Sequence, residues 1–131
     1  MASYTATYGI DCGVPGISGL RVDFLAKSVN IRVHSDKDAM LEAIARGINY
    51  TKNYRSNPVH GETRVRLVSL VHNDTRHLSQ TTLIDQLGKE SVRLAVNGVL
   101  PRISCVQYGE GQNLLFRMNQ AEHGKDIFYL Q

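Results

Sequence analysis

The chain has 131 residues, 42% of them hydrophobic, and carries 15 Lys/Arg against 12 Asp/Glu. That length suits one domain with a real core, and the composition excludes a disordered chain. No run of about 18 apolar residues occurs, so a membrane-spanning helix is not expected.

Two cysteines, Cys12 and Cys105, are too few for a disulfide framework. They read as buried thiols in a reducing compartment, with a bridge between them as the second reading. The opening residues MASYTATYGIDCG lack a basic region followed by an apolar one. No signal peptide is expected, and the expected location is the cytoplasm.

In chain order, residues 4–10 are strand formers, and 12–16 read as a loop. Leu20, Val22 and Phe24 alternate with Arg21 and Asp23. Val29, Ile31 and Val33 alternate with Asn30, Arg32 and His34. Each set is a half-buried strand, but the two frames are out of step across Ala26-Lys27-Ser28. We expect a hairpin there; the alternative is a bulge that resets one long strand.

Ser35 is a good N-cap, and Asp36 and Asp38 put negative charge at the positive end of a helix. Met40, Leu41, Ile44, Ala45 and Ile48 form a 3.6-residue stripe, with Glu42 and Arg46 paired four apart opposite it. Arg46-Gly47 resembles a helix ending, so the spacing predicts a helix over 36–46, or to 54 if Gly47 is tolerated inside it. Thr63 to His72, TRVRLVSLVH, is apolar on both faces at its centre and predicts a central strand covered on both sides. Arg64 and Arg66 share one face at its start.

Ser79 caps a short helix carrying Leu83, Ile84 and Leu87, which Gly88 ends. Val92, Leu94 and Val96 form a strand, and Asn97-Gly98 turns it into a return strand, 99–106, that Pro101 confines to an edge or a bulge. Gly109 to Gln112 is a turn, and Leu114, Phe116 and Met118 lie on a last internal strand. The fold class expected is α+β: a single domain over 1–131, a mostly antiparallel sheet of about five to seven strands with one or two helices packed on one face.

For function, the charge distribution is informative. Residues 46–76 hold six cations against two anions, and the rest of the chain carries no excess positive charge. Such asymmetry hints at an anionic partner such as RNA or DNA. Tyr50, Lys52, Tyr54, Arg55, Arg64 and Arg66 are the candidate nucleic-acid-binding residues: rings to stack bases, cations to neutralise phosphates. At the C-terminus, Ile127, Phe128, Tyr129 and Leu130 are four apolar residues that a single strand would point to both sides. They are the candidate interface of a homo-oligomer. His72, Asp74 and His77 are the densest titratable cluster, but their spacing fits no common zinc pattern. No cofactor motif, metal motif or catalytic signature occurs. The expected function is therefore a non-enzymatic binding or assembly module that self-associates. The alternative is a small nucleic-acid-binding protein using the block 46–76.

Overall fold

The computed structural model describes residues 1–14, 16–53, 63–73, 76–88, 91, 103–109 and 111–118. The fold is α+β. The described strands are β1 (Ala2–Val14), β2 (Ile17–Val33), β3 (Thr63–His72), β4 (Arg76–His77), β5 (Ile103–Tyr108) and β6 (Asn113–Met118). They form one antiparallel sheet in the order β2-β1-β3-β6-β5, with the short β4 paired to the end of β3. Two described helices, α1 (Asp36–Asn53) and α2 (Gln80–Leu87), share a core with one sheet face. Tyr4, Ala6, Tyr8 and Ile10 of β1, Val65, Leu67 and Leu70 of β3, and Leu114 and Phe116 of β6 supply that face.

The hairpin expected at Ala26-Lys27-Ser28 is overturned. β2 is one strand, and the alternative reading holds: Ile10 pairs with Leu25 but Asp11 pairs with Asp23, so Phe24 is the extra residue of a bulge. The bulge shifts the two-residue alternation by one place. The physical reason lies in turn chemistry, because Ala-Lys-Ser has no residue suited to positive φ. The real reversal lies between the paired Val14 and Ile17, where Gly16 has φ +81°. The loop expected over 12–16 is thereby reduced to this tight connection.

α1 starts as expected. The Asp38 amide donates to Ser35 Oγ at 3.1 Å, and Arg46 Nε donates to Glu42 Oε1 at 3.0 Å. It does not stop at Gly47, however, and runs to Asn53. Gly47 is buried within it, and the buried stripe is Ala39, Met40, Ala43, Ile44, Gly47, Ile48 and Thr51. Ala45, expected in the stripe, is exposed, and Leu41 is half-buried.

β3 lies between β1 and β6, so its central place holds. Among the described residues, α1 and α2 both cover the same face of it, and Val68 on the other is 45% exposed. Val68 is itself a bulge residue: Thr7 pairs with Ser69 and Tyr8 with Leu67. Beyond the bulge the β3–β6 pairing, which covers Arg64 to Arg66, is taken over by side chains. Gln80 of α2 donates Nε2 to Leu67 O at 2.7 Å and accepts from the Leu114 amide at 2.8 Å. Asn113 Nδ2 reaches Val68 O at 3.2 Å. The two strands thus fork, with amide side chains satisfying backbone groups that would otherwise stay unpaired.

α2 is capped as expected, with Ser79 Oγ accepting from the Thr82 amide at 3.2 Å and Gly88 ending it at φ +86°. The turn between Tyr108 and Asn113 also falls where expected, and β5 ends the strand order among the described residues. The strand and Asn97-Gly98 turn expected over 92–102 lie outside the described residues.

Candidate functional site

Side chains that alternate with the core residues project from the sheet face opposite the helices. Along β1 these are Thr5, Thr7, Gly9 and Asp11. At one end the face is a ladder of small polar groups. Thr7 and Ser28 hydroxyls lie 3.1 Å apart, Thr5 Oγ1 donates to Asn73 Oδ1 at 2.7 Å, and Asn73 Nδ2 donates to Ser3 Oγ at 3.0 Å.

At the other end it is ionic. Asp11 has a side chain only 5% exposed, yet it belongs to the face turned away from α1 and α2. Burial of a carboxylate is costly unless it is paired and hydrogen-bonded. Arg21 Nε donates to its Oδ1 at 2.7 Å and Arg64 Nε to the same atom at 3.0 Å. Arg66 Nε approaches Oδ2 at 3.5 Å and makes no hydrogen bond among the described residues. Arg66 instead extends its terminal nitrogen to Asp23 Oδ1 at 2.9 Å. That reach crosses β1 at Gly9, directly opposite Arg66 in the ladder. A Cβ on Gly9 would lie 3.4 Å from the Arg66 guanidinium and 3.3 Å from a Val68 methyl, so glycine leaves the guanidinium room to lie across the strand.

Arg117, paired opposite Arg64 in the β3–β6 ladder, is exposed on the same face. Four arginines therefore share this end of the sheet with two aspartates. Next to them Tyr108 is 54% exposed, its ring centre 5.6 Å from the Arg64 guanidinium carbon. Burial alone would lower the Arg64 pKa; its hydrogen bonds to Asp11 and Tyr108 and the Asp11 charge raise it above the ordinary value. The group is a fixed cation at any physiological pH. The fork between β3 and β6 opens a groove of ≈ 220 Å³ on this side, walled by Arg66, Val68, Tyr108, Gly109, Gly111 and Asn113 among others.

The six residues expected to bind nucleic acid do not form one surface. Arg64 and Arg66 lie in the ionic cluster. Tyr50 is half-buried on the helix side, its ring edge-on to Tyr8 at 5.0 Å, where it packs against the core. Lys52 is exposed in the last turn of α1, on that same side. Tyr54 and Arg55 lie outside the described residues, as do Ile127, Phe128, Tyr129 and Leu130.

The histidines are also separated. His72 pairs with Arg76 and packs edge-on against Tyr4 at 4.9 Å, whereas His77 pairs with Val71 on the opposite face. Asp74 lies outside the described residues. Among the described residues no group of three or more His, Cys, Asp or Glu is placed to hold a metal ion. Cys12 and Cys105 are buried free thiols, and burial pushes the Cys105 pKa up, away from the reactive thiolate. No described helix is long and apolar enough to cross a membrane.

Sequence reasoning missed Asp11, Arg21, Asp23, Arg117 and Tyr108. Asp11, Arg21, Asp23 and Arg117 each alternate with apolar neighbours, so their place on a polar face was legible; Tyr108, between Gln107 and Gly109, gave no such signal. What was not legible was that β1, β2, β5 and β6 would bring them together around β3. No protein-family model, curated protein or solved structure matches the chain.

Proposed function

We propose that the protein is a non-enzymatic binding module whose working surface is the sheet face opposite the helices, and that its partner is a single-stranded nucleic acid. The observation that supports this is the grouping of Arg21, Arg64, Arg66 and Arg117 beside the exposed ring of Tyr108. Cations that neutralise phosphates beside an aromatic platform are the two parts of single-strand recognition. The face of an antiparallel sheet turned away from its helices can offer both to a strand laid across it. Asp11 and Asp23 hold Arg66 stretched across the sheet rather than free to sample many rotamers, which lowers the entropic cost of binding.

Fluorescence anisotropy of a labelled oligonucleotide, titrated across salt, tests the reading. Affinity falls steeply with salt, and Arg66→Ala and Arg117→Ala each reduce the slope by about 0.7. Lys52→Ala, on the other side of the molecule, leaves it unchanged. No binding at low salt, or an equal effect of Lys52→Ala, overturns the proposal.

Self-association through Ile127, Phe128, Tyr129 and Leu130 is a separate proposal. Its support is the sequence pattern alone: four consecutive apolar side chains, of which a strand would bury one pair on its own domain. Light scattering on the intact chain and on one lacking 126–131 tests it. The expected result is a dimer or larger for the first and a folded, smaller species for the second.

A further inference from the structure

The groove between β3 and the β5–β6 turn exists because two local events coincide. The Val68 bulge lifts one residue out of the β3 alternation, and the β3–β6 ladder gives way to the Gln80 and Asn113 amides at that point. Its walls combine unlike chemistries. Tyr108 and Val68 present exposed apolar surface, at 54% and 45%. Gly109 and Gly111 carry no side chain, and the Gly109 carbonyl accepts from the Gln112 amide and from Gln112 Nε2. Asn113 donates Nδ2 to Val68 O and presents an amide oxygen as well. Arg66 forms the wall that joins the groove to the ionic cluster.

The size is decisive. A volume of ≈ 220 Å³ is below the roughly 300–1,000 Å³ of pockets that take whole cofactors or drug-sized molecules. It suits one flat ring system, and the chemistry of the walls suits a ring with apolar faces and a polar edge. The cation that lines the groove belongs to the arginine cluster, so a ring carried on an anionic chain would meet charge of the opposite sign. Resting on the nucleic-acid reading above, we infer that this groove is a base-binding subsite: one unpaired nucleobase stacks on Tyr108 beside Val68, its edge toward Asn113 and the glycine backbone, while the flanking phosphates run over Arg66 and Arg64.

The test compares three probes on the full chain at low salt: a single-stranded oligothymidylate of about a dozen nucleotides, in the range of single-strand site sizes, an abasic strand of the same length, and inorganic polyphosphate. The base-bearing strand binds on the order of tenfold more tightly than the other two. Tyr108→Ala weakens it by roughly 5- to 150-fold, the value of one lost stack, and leaves the abasic strand unaffected, while Tyr108→Phe retains the affinity. Tyr108 is more than half exposed, so its truncation leaves the fold intact. Equal binding of base-bearing and abasic strands, or an equal loss for both in Tyr108→Ala, overturns the subsite yet leaves the arginine face as a phosphate-binding surface. Failure of all three probes to bind removes both proposals.

Discussion

The ring of Phe116 occupies the space that a side chain on Gly47 would need. A Cβ at Gly47 would lie 2.6 Å from Phe116 Cε2 and 2.9 Å from two further ring atoms. Phe116 is fully buried on β6, in register opposite Val65. Glycine in a helix interior is destabilising by roughly 0.5–1 kcal/mol relative to Ala. Here that cost is offset by the close seating of α1 on the sheet.

Gly47→Ala therefore tests a conflict between two effects of opposite sign. Helix propensity favours Ala by about 1 kcal/mol, and overpacking against a buried ring costs about 1–3 kcal/mol. We expect net destabilisation, with a lowered midpoint in urea at unchanged slope. Adding Phe116→Leu to Gly47→Ala relieves the clash, so the two substitutions together cost less than the sum of the singles. Wild-type or higher stability in Gly47→Ala alone would show that the helix stands further from the sheet.

Ile44 lies mid-stripe in α1 and is fully buried. Ile44→Asp places an unpaired charge in the core, and the expected result is a chain that is unfolded or lacks fixed packing. Near-UV circular dichroism and thermal denaturation read this directly. A cooperative transition at the wild-type temperature would place the stripe in solvent.

Tyr4 gives the fold an alkaline limit. Its hydroxyl donates to Asp36 Oδ1 at 2.7 Å, and burial, then that hydrogen bond and the Asp36 charge, push its pKa up to about 12. Tyr8, whose hydroxyl donates to the Ala43 carbonyl, is moved in the same direction by burial. The folded pKa of Tyr4 exceeds its unfolded value of about 10, so its contribution is complete below pH 10 and is lost as pH rises through 12. Denaturant titrations should show stability falling between pH 10 and 12. Tyr4→Phe should flatten that fall, and an identical pH profile would mean that Tyr4 ionises as freely folded as unfolded.

What the sequence disclosed follows from the range of the interactions involved. The Ser35 and Ser79 caps, the Glu42–Arg46 pair and the turn after Tyr108 depend on residues at most a few positions apart, and all were legible. Gly47 was ambiguous because a glycine that ends a helix and one that admits a ring look alike; Phe116, far along the chain, makes the difference. The break in alternation near Ala26 was visible too, but a hairpin and a bulge interrupt the period in the same way. Only the pairing with β1 separates them. In the candidate site, Arg64 and Arg66 were legible as neighbours on one face. Their relation to Asp11, Arg21 and Asp23 depends on β3, β1 and β2 lying side by side, and no local pattern encodes that order. The clustering of charge over 46–76 was a misleading guide, since α1 and β3 place its two halves on opposite sides of the sheet.

Asp11 separates the structural role of the ionic cluster from its proposed role in binding. Its carboxylate holds Arg21 and Arg64 by hydrogen bonds and Arg66 by charge. Asp11→Asn keeps the shape and removes the negative charge that three guanidinium groups share. Breaking a fully buried pair costs about 3–5 kcal/mol. These arginines are partly exposed, so solvent screens part of the repulsion and about 1–3 kcal/mol is the expected loss. It should shrink as salt is raised, because screening acts on the same repulsion. The same substitution adds one positive charge to the face, so the proposed binding to a single strand should tighten at low salt while the fold weakens. A merely structural cluster predicts something else: stability falls, and affinity falls with it or does not respond. Chemical denaturation and oligonucleotide anisotropy on Asp11→Asn, each at two salt concentrations, distinguish the outcomes. Opposite movement of the two quantities supports a cluster whose positive excess faces a partner, and parallel loss assigns it to the fold alone.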